Sequence, residues 1–208
     1  SKSKKNVVDP SDMISLYGAD TARWFMLSDS PPDRDLQWTE TGIASSYKFV
    51  NKLWGFIDKY KKYSSKGKSN NDILNKLKML INSVAQNIED FQFNKSVANI
   101  YEFVNILSNA ISNNHLNQKD FQWSLKRLAL ILQPFLPHIS EEIWSTLGSS
   151  NLCINQEWPV ENSSLEKNTV NIVVQINGKT RNVLELKSKL KKEEVLKIAK
   201  NDKKILKY

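Results

Sequence analysis

The chain has 208 residues, of which 40% are hydrophobic and 25% charged, and its formal net charge is +8. This length and apolar content can build one large or two small packed domains. The single cysteine, Cys153, excludes an intramolecular disulfide and a Cys-x-x-Cys zinc site. No apolar run approaches the ~20 residues that cross a bilayer, so we expect no membrane partner. The positive charge indicates an anionic partner, although solvated surface lysines would explain it equally well.

Two short helices are predicted near the start of the chain. Asp9 can act as an N-cap, Pro10 suits the first helical position, and Gly18 suits a C-cap. The expected apolar side of this helix is formed by Met13, Leu16 and Tyr17. Asp20 begins the second helix, and the prolines at 31–32 forbid its continuation.

A long amphipathic helix is predicted from Thr39 to about Tyr60. Its apolar residues step by four and three positions and predict one buried stripe, formed by Ile43, Tyr47, Val50, Trp54 and Ile57. Basic and aromatic residues then alternate over 59–63, and residues 64–71 lack apolar side chains and contain Gly, which predicts a flexible loop there. Such a segment is either a solvated helix end or an RNA-contacting loop.

Four further helical patterns follow as far as Gly148. Their inward residues are Ile73, Leu77, Leu80, Ile81, Val84 and Ile88; Val97, Ile100, Tyr101, Val104, Leu107 and Ile111; Phe121, Leu125, Leu128, Ala129 and Leu132; and Ile139, Ile143, Trp144 and Leu147. Amphipathic helices with short connections predict an antiparallel helix bundle, so the fold class is mainly α. His138 and Glu141 have metal-ligand spacing, but no third ligand lies nearby. We therefore predict no metal site, and Glu141 suits helix capping.

The pattern changes after residue 148. Residues 149–169 are rich in Ser and Asn and predict a linker, on which Trp158-Pro159 would dock against the bundle. Apolar residues then alternate from Val170 to Ile176, Asn177-Gly178 predicts a tight turn, and a second strand returns. The last predicted helix places Val195, Leu196 and Ala199 inward. A hairpin with one helix makes a small core, so we expect 170–208 to be an incomplete α/β domain.

Several motifs, in this order, resemble one enzyme family. Ser1-Lys2-Ser3 resembles the last three residues of the Lys-Met-Ser-Lys-Ser loop of class I aminoacyl-tRNA synthetases. Residues 17–27 (YGADTARWFML) resemble the segment after that loop in the synthetases for leucine, isoleucine and valine. Residues 28–38 (SDSPPDRDLQW) are most similar to bacterial-type leucyl-tRNA synthetases, and 132–144 (LQPFLPHISEEIW) and 174–181 (VQINGKTR) continue the resemblance.

The resemblance implies a C-terminal piece of a larger enzyme, which would be cytoplasmic, or organellar if a transit peptide directs it. Nothing in the sequence requires more than a monomer. Such an enzyme joins leucine to its tRNA through a leucyl-adenylate, using ATP and Mg²⁺. Lys2 would be the catalytic ammonium that stabilises the leaving pyrophosphate, and Ser1 and Ser3 would hold this ATP-binding loop. The His-x-Gly-His motif of such enzymes does not occur in this sequence. We therefore expect the piece alone to be inactive, with no cofactor bound.

The resemblance also implies a division of the chain and a partner. Residues 1–38 would end the loop and form connecting helices, 39–148 would be a bundle of the class I synthetase anticodon-binding type, and 149–169 would link it to 170–208. The partner would be leucine-accepting tRNA. The candidate phosphate contacts are Lys126, Arg127, Lys179 and Arg181, with a second cluster at Lys187, Lys189, Lys191 and Lys192.

Two other interpretations remain open from the sequence. One is the corresponding part of a valyl- or isoleucyl-tRNA synthetase, because all three enzymes share the Tyr17-Gly18-Ala19-Asp20 motif in the resemblance above. The other is a non-catalytic RNA-binding or helix-bundle interaction module, in which the basic residues serve nucleic acid or solvent without any ligase chemistry.

Overall fold

The computed structural model describes residues 8–28, 33–34, 36–161, 169–176, 179–187, 190, 192–202 and 205. The chain divides into two units, Ser1–Asn162 and Ser163–Tyr208, which we call the bundle unit and the hairpin unit. The helices of the bundle unit are α1 (Pro10–Tyr17), α2 (Ala19–Ser28), α3 (Glu40–Lys62), α4 (Asn71–Glu89), α5 (Phe93–Ser112), α6 (Gln118–Leu132) and α7 (Pro137–Thr146). The predicted mainly α fold class is confirmed. The predicted loop Ser1–Ser3 and the predicted turn at 177–178 lie outside the described residues.

The first helix begins and ends as the sequence predicts. The Asp9 side chain accepts a hydrogen bond from the Ser11 backbone N–H at 2.8 Å, and Gly18 ends the helix with a φ of 84°. The predicted apolar side lies largely at the surface, because no residue of α1 is buried and Leu16 is 68% exposed. Apolar spacing on so short a helix shows which residues share a face but not whether anything covers that face.

Trp24 of α2 lies at the centre of an aromatic cluster. Its ring is fully buried and stacks on Phe49 of α3 with the centroids 4.6 Å apart. Tyr101 of α5 and Phe135, in the turn after α6, contact the same indole at 5.5 and 6.0 Å. Contacts between aromatic rings in tilted and stacked arrangements stabilise a fold beyond the effect of the area that they bury. One side chain of α2 therefore joins three other parts of the bundle unit.

The buried face of α3 differs from the predicted stripe. Ile43, Val50 and Ile57 are buried, but Tyr47 and Trp54 are 42% and 44% exposed. The rest of the buried face is formed by Ser46, Phe49, Leu53 and Phe56. The predicted and the observed stripe both have helical spacing and share three residues. Periodicity alone therefore does not decide which of the neighbouring positions on the helix are buried. The packing of Phe49 on Trp24 decides it.

The remaining helices match the predicted pattern closely. Every predicted inward residue of α6 is buried, and on α4, α5 and α7 the exceptions Ile88, Tyr101 and Leu147 are partly buried against the same core. The α4–α5 connection ends α4 with Phe91 in the left-handed region, at a φ of 56°, and the Gln92 N–H donates to the Asn87 carbonyl. That bond is the Schellman pattern of a helix C-terminus, here with phenylalanine where glycine is usual.

A buried carboxylate joins α2 to the start of α7. The Asp20 side chain is 8% exposed and accepts hydrogen bonds from the backbone N–H groups of Ile139, at 2.8 Å, and His138, at 3.3 Å. The His138 imidazole Nδ1 lies 3.1 Å from the same carboxylate. Arg23 donates to the carbonyls of Phe135 and Pro134. Asp20 therefore caps a helix that lies more than a hundred residues later in the chain.

The segment 149–161, which we call the connecting segment, packs on the bundle unit. The sequence suggested that Glu141 caps α7. Its carboxylate instead accepts hydrogen bonds from the backbone N–H groups of Cys153 and Ile154 at 2.7 and 2.9 Å. The Cys153 side chain is 1% exposed, and Trp158 packs against the same core, as predicted. Glu161 pairs with Arg127 of α6. The first part of the predicted linker is thus held on the helices.

The hairpin unit contains the predicted hairpin and helix. Strand β1 (Thr169–Ile176) pairs antiparallel with β2 (Lys179–Lys187), and helix α8 (Lys192–Asn201) follows. The inward placement predicted for Leu196 is wrong, because no residue of α8 is buried and Leu196 is 48% exposed. No described helix of either unit is long and apolar enough to cross a membrane.

Replacing Asp20 with alanine should destabilise the bundle unit by about 1–3 kcal/mol, because two N–H groups at the start of α7 lose their acceptors. Urea unfolding followed by tryptophan fluorescence measures the loss. The control is Asp12→Ala, which removes an exposed carboxylate from α1 and should change stability by less than about 0.5 kcal/mol. Equal losses in the two variants would show that the contact with α7 contributes nothing.

The Cys153 thiol should be unreactive in the folded protein. Burial, with the Glu141 carboxylate nearby, raises the pKa of this thiol to about 12. The thiolate is the reactive form, so labelling by a disulfide reagent at pH 8 should be at least ~100-fold slower in native buffer than in urea. Because folding raises the pKa of this thiol, its protonated form contributes to the free energy of unfolding. This contribution is complete below about pH 8.5 and is lost as the pH rises toward 12. Equally rapid labelling of native and unfolded protein would contradict the burial.

Candidate nucleic-acid interface

The positive charge of the chain is concentrated in one unit. The hairpin unit holds twelve lysines and arginines against five acidic residues, a net charge of +7 in 46 residues. The bundle unit holds eighteen against seventeen, a net charge of +1. Surface lysines that only serve solubility have no reason to be distributed in this way. A small unit with this charge presents a strong positive potential to an anionic partner.

Arg181 occupies a special position on the hairpin. Thr180 pairs with Gln175 and Asn182 pairs with Val174, so Arg181 is the extra residue of a β-bulge in β2. A bulge changes the direction in which a side chain points from the strand. Asn182 is held in place, because its side-chain amide donates to Asp202 after α8 at 3.0 Å. The backbone that carries Arg181 is therefore tied to the end of the helix.

The other predicted basic residues of the hairpin unit are spread along its elements. Lys179 and Lys187 begin and end β2, and Lys192 begins α8 with its side chain exposed. Lys189 and Lys191 lie outside the described residues. Two exposed lysines of α8, Lys197 and Lys200, add to the charge, although the sequence analysis did not single them out.

The basic pair of α6 already has contacts within the bundle unit. The Lys126 ammonium lies 4.9 Å from the centroid of the Trp144 ring, and the Arg127 guanidinium lies 3.9 Å from that of Trp123. Arg127 also forms an ion pair with Glu161. Cations over aromatic rings are held by the ring quadrupole. The contact of this pair with phosphate stays a prediction.

A second group of lysines lies where α3 ends. Lys59, Lys61, Lys62, Lys66 and Lys68 are all exposed, and we call them the bundle-end cluster. The first three occupy the last turn of α3, where cations are favoured by the helix dipole. An open groove of about 330 Å³ lies beside them and is lined by Asp58, Lys59, Lys62, Tyr63, Ile111, Ser112 and Asn114.

The loop that carries Lys66 and Lys68 is hydrogen-bonded to a neighbouring turn, although the sequence predicted a flexible loop. Tyr63 donates its hydroxyl to the Leu116 carbonyl at 2.6 Å, and the Gln118 N–H donates to the Ser65 carbonyl at 3.1 Å. Asn70 donates from its amide to the His115 carbonyl and from its backbone to Asp120. These hydrogen bonds pair backbone N–H and C=O groups of the loop that would be unfavourable if they were buried without a partner. The bundle-end cluster therefore stands on a defined backbone.

The described residues show no metal site. Among them no group of three or more His, Cys, Asp and Glu side chains could hold a metal ion, and His138 and Glu141 contact Asp20 and the connecting segment instead. The predicted catalytic Lys2 and its neighbours Ser1 and Ser3 lie outside the described residues.

Comparison with known proteins identifies two family matches in the chain. Residues 70–197 match the model of the anticodon-binding domain of tRNA ligase, and residues 1–39 match that of the class I tRNA synthetases for I, L, M and V. The leucine–tRNA ligase of Jannaschia sp. strain CCS1 is 37% identical over 96% of this chain and 24% of the relative. That of Rickettsia bellii strain RML369-C is 37% identical over 100% of this chain and 25% of the relative.

A solved structure has the same fold over the whole chain. It is the LeuRS of Agrobacterium radiobacter K84 in a ternary complex with tRNA and LeuAMS, with a TM-score of 0.75 and 26% identity. The match covers 100% of this chain and 28% of that chain. This chain thus spans about a quarter of the length of the curated relatives that it matches. The resemblance to bacterial-type leucyl-tRNA synthetases is confirmed. The chain belongs to the anticodon-binding domain family of tRNA ligases and is homologous to a region of the leucine–tRNA ligases.

Proposed function

We propose that this chain is the tRNA-binding part of a leucine–tRNA ligase and that its partner is leucine-accepting tRNA. The observation that carries the proposal is the charge distribution, with +7 on the hairpin unit and the bundle-end cluster as a second basic surface. The family supports the kind of partner, and the relatives named as leucine–tRNA ligases support the choice of leucine.

The proposed contacts are to phosphates and to the shape of the tRNA. Lysine ammonium groups are point donors, and an arginine such as Arg181 can hold a phosphate with two parallel bonds. A folded RNA hides most base edges in a deep groove, so a basic surface without a base-reading loop recognises backbone and shape. Lys179 and Arg181 are the proposed contacts of the hairpin unit, and the bundle-end cluster supplies those of the bundle unit. Lys126 and Arg127 are the candidates on α6, where each lies against an aromatic ring.

The whole ligase would be a cytoplasmic, monomeric enzyme that activates leucine with ATP and Mg²⁺. In it, residues 1–38 would connect the ATP-binding loop to the bundle, and Lys2 would stabilise the negative charge that develops on the leaving pyrophosphate. The match of residues 1–39 to class I tRNA synthetases supports this role for Ser1, Lys2 and Ser3. Residues 39–148 would be the bundle, 149–169 the linker and 170–208 the small domain that meets the tRNA.

The chain should prefer leucine-accepting tRNA to an unrelated tRNA by about tenfold, a difference of about 1.4 kcal/mol, and the preference should survive moderate salt. Filter binding or fluorescence anisotropy over a salt series measures both affinities. Equal and steeply salt-dependent binding to both tRNAs would show that the binding is nonspecific and driven by counterion release. That result would favour the non-catalytic RNA-binding module. A preference for valine or isoleucine tRNA would favour those ligases.

The contribution of the bundle-end cluster can be separated with matched variants. The double variant Lys62→Ala with Lys66→Ala should lower the slope of log affinity against log salt by about 0.7–0.9 for each lysine that contacts phosphate. The control, Lys48→Ala with Lys95→Ala, removes two exposed lysines elsewhere in the bundle unit and the same charge. Identical slopes in the two double variants would assign the bundle-end cluster no direct contact.

Leucine-dependent exchange of pyrophosphate with ATP should not be detectable with this chain alone. The exchange needs a complete nucleotide site, and the sequence has no His-x-Gly-His motif beside Ser1-Lys2-Ser3. Radiolabelled pyrophosphate exchange measures the activity, with a complete leucine–tRNA ligase as the positive control. Exchange above the background of a no-leucine sample would contradict the assignment of the chain to tRNA binding only.

A further inference from the structure

The connecting segment is held on the bundle unit along its length. At its start the Glu141 carboxylate accepts the N–H groups of Cys153 and Ile154. In its middle Trp158 packs against the hydrophobic core. At its end Glu161 pairs with Arg127. Seven residues, 162–168, then separate this last contact from Thr169, where β1 begins.

The contact between Arg127 and Glu161 is shielded from solvent. The Glu161 side chain is 13% exposed and the Arg127 side chain 27%, and the guanidinium lies over the Trp123 ring. A carboxylate removed from water to this extent is unfavourable without a cation beside it. The pair also joins residues 34 positions apart, so it does not follow from local helix geometry. Arg127 is therefore committed to a partner inside the bundle unit.

We propose that Arg127 and Glu161 are positioning residues that fix the end of the connecting segment and so set the length of the connection between the two tRNA-binding units. The tRNA part of this proposal rests on the proposed function, because it requires both units to bind one tRNA. The positioning part rests on the contact alone. In this role Arg127 acts through Glu161, and its contact with phosphate is not needed.

The size of the effect follows from the length of the connection. If Glu161 is released, the next contact along the segment is that of Trp158 with the core, and the connection to β1 grows from seven residues to ten. The effective concentration of a tethered second site falls roughly as the −3/2 power of tether length, which gives about a 1.7-fold loss of tRNA affinity. The loss would occur without the removal of any positive charge.

The first test measures hydrogen exchange of backbone amides in residues 156–161 of the full chain. Glu161→Ala should increase exchange there, while the core helices stay protected. The matched control is Glu157→Ala, which removes an exposed carboxylate from the same segment and should change nothing. Charge reversal in Arg127→Glu should increase exchange too, and the double exchange of Arg127→Glu with Glu161→Arg should restore most of the protection. Unchanged exchange in Glu161→Ala would overturn the positioning role.

The second test measures tRNA affinity, where charge and positioning predict opposite signs. Both Glu161→Ala and Glu157→Ala raise the net charge by one, so electrostatics alone predicts equal or tighter binding for the two. We expect Glu161→Ala to weaken binding about 1.7-fold and Glu157→Ala to leave it unchanged or tighter. The double exchange keeps the net charge and should restore affinity, whereas a phosphate contact by Arg127 would be lost in it. Loss of affinity in the double exchange, with amide protection restored, would overturn the proposal in favour of that contact. Failure of the wild-type chain to prefer any tRNA would instead contradict the proposed function and leave the exchange test to decide the positioning role.

Discussion

The bundle unit depends on a carboxylate that is buried between two parts of the chain far apart in sequence. Asp20 accepts the N–H groups at the start of α7 while Arg23, one turn later, donates to the carbonyls just before it. Because α2 is fixed at both sides of the 134–139 turn, Trp24 enters the cluster formed with Phe49 and Phe135. The part of the chain that matches class I tRNA synthetases is thereby joined to the part that matches the anticodon-binding domain.

The two units differ in their buried core and in their net charge. The bundle unit has a large buried core and almost no net charge, whereas the hairpin unit has a net charge of +7 and a helix without a buried residue. Self-repulsion makes such a charge unfavourable in a compact unit unless a partner neutralises it. A polyanion is a partner that would both neutralise the charge and cover the exposed helix. Such a partner is favoured by the distribution of charge between the units, which the total of +8 for the chain does not show.

Most secondary structure was predictable, because period and punctuation are local properties. The cap at Asp9, the inward residues of α6 and the hairpin all follow from residues within a few positions of one another. The errors arose where the deciding contact is remote. On α3, Phe49 packs on Trp24, and Tyr47 and Trp54 are exposed. At the start of α7 the cap is Asp20, while Glu141 binds the connecting segment. None of these partners lies within helical spacing of the residue that it contacts.

The same limit applies to the basic residues. The sequence predicts Lys126 and Arg127 as phosphate contacts, and it leaves the lysines of segment 59–71 open between a solvated helix end and an RNA-contacting loop. A sequence counts charges, but it does not show which of them are neutralised within the fold. Arg127 has a shielded carboxylate and an aromatic ring as neighbours, whereas the bundle-end cluster stands exposed on a hydrogen-bonded loop. Since a cation that is already paired must lose that pairing before it can bind phosphate, the exposed lysines have the lower desolvation cost and are the stronger candidates for tRNA contact.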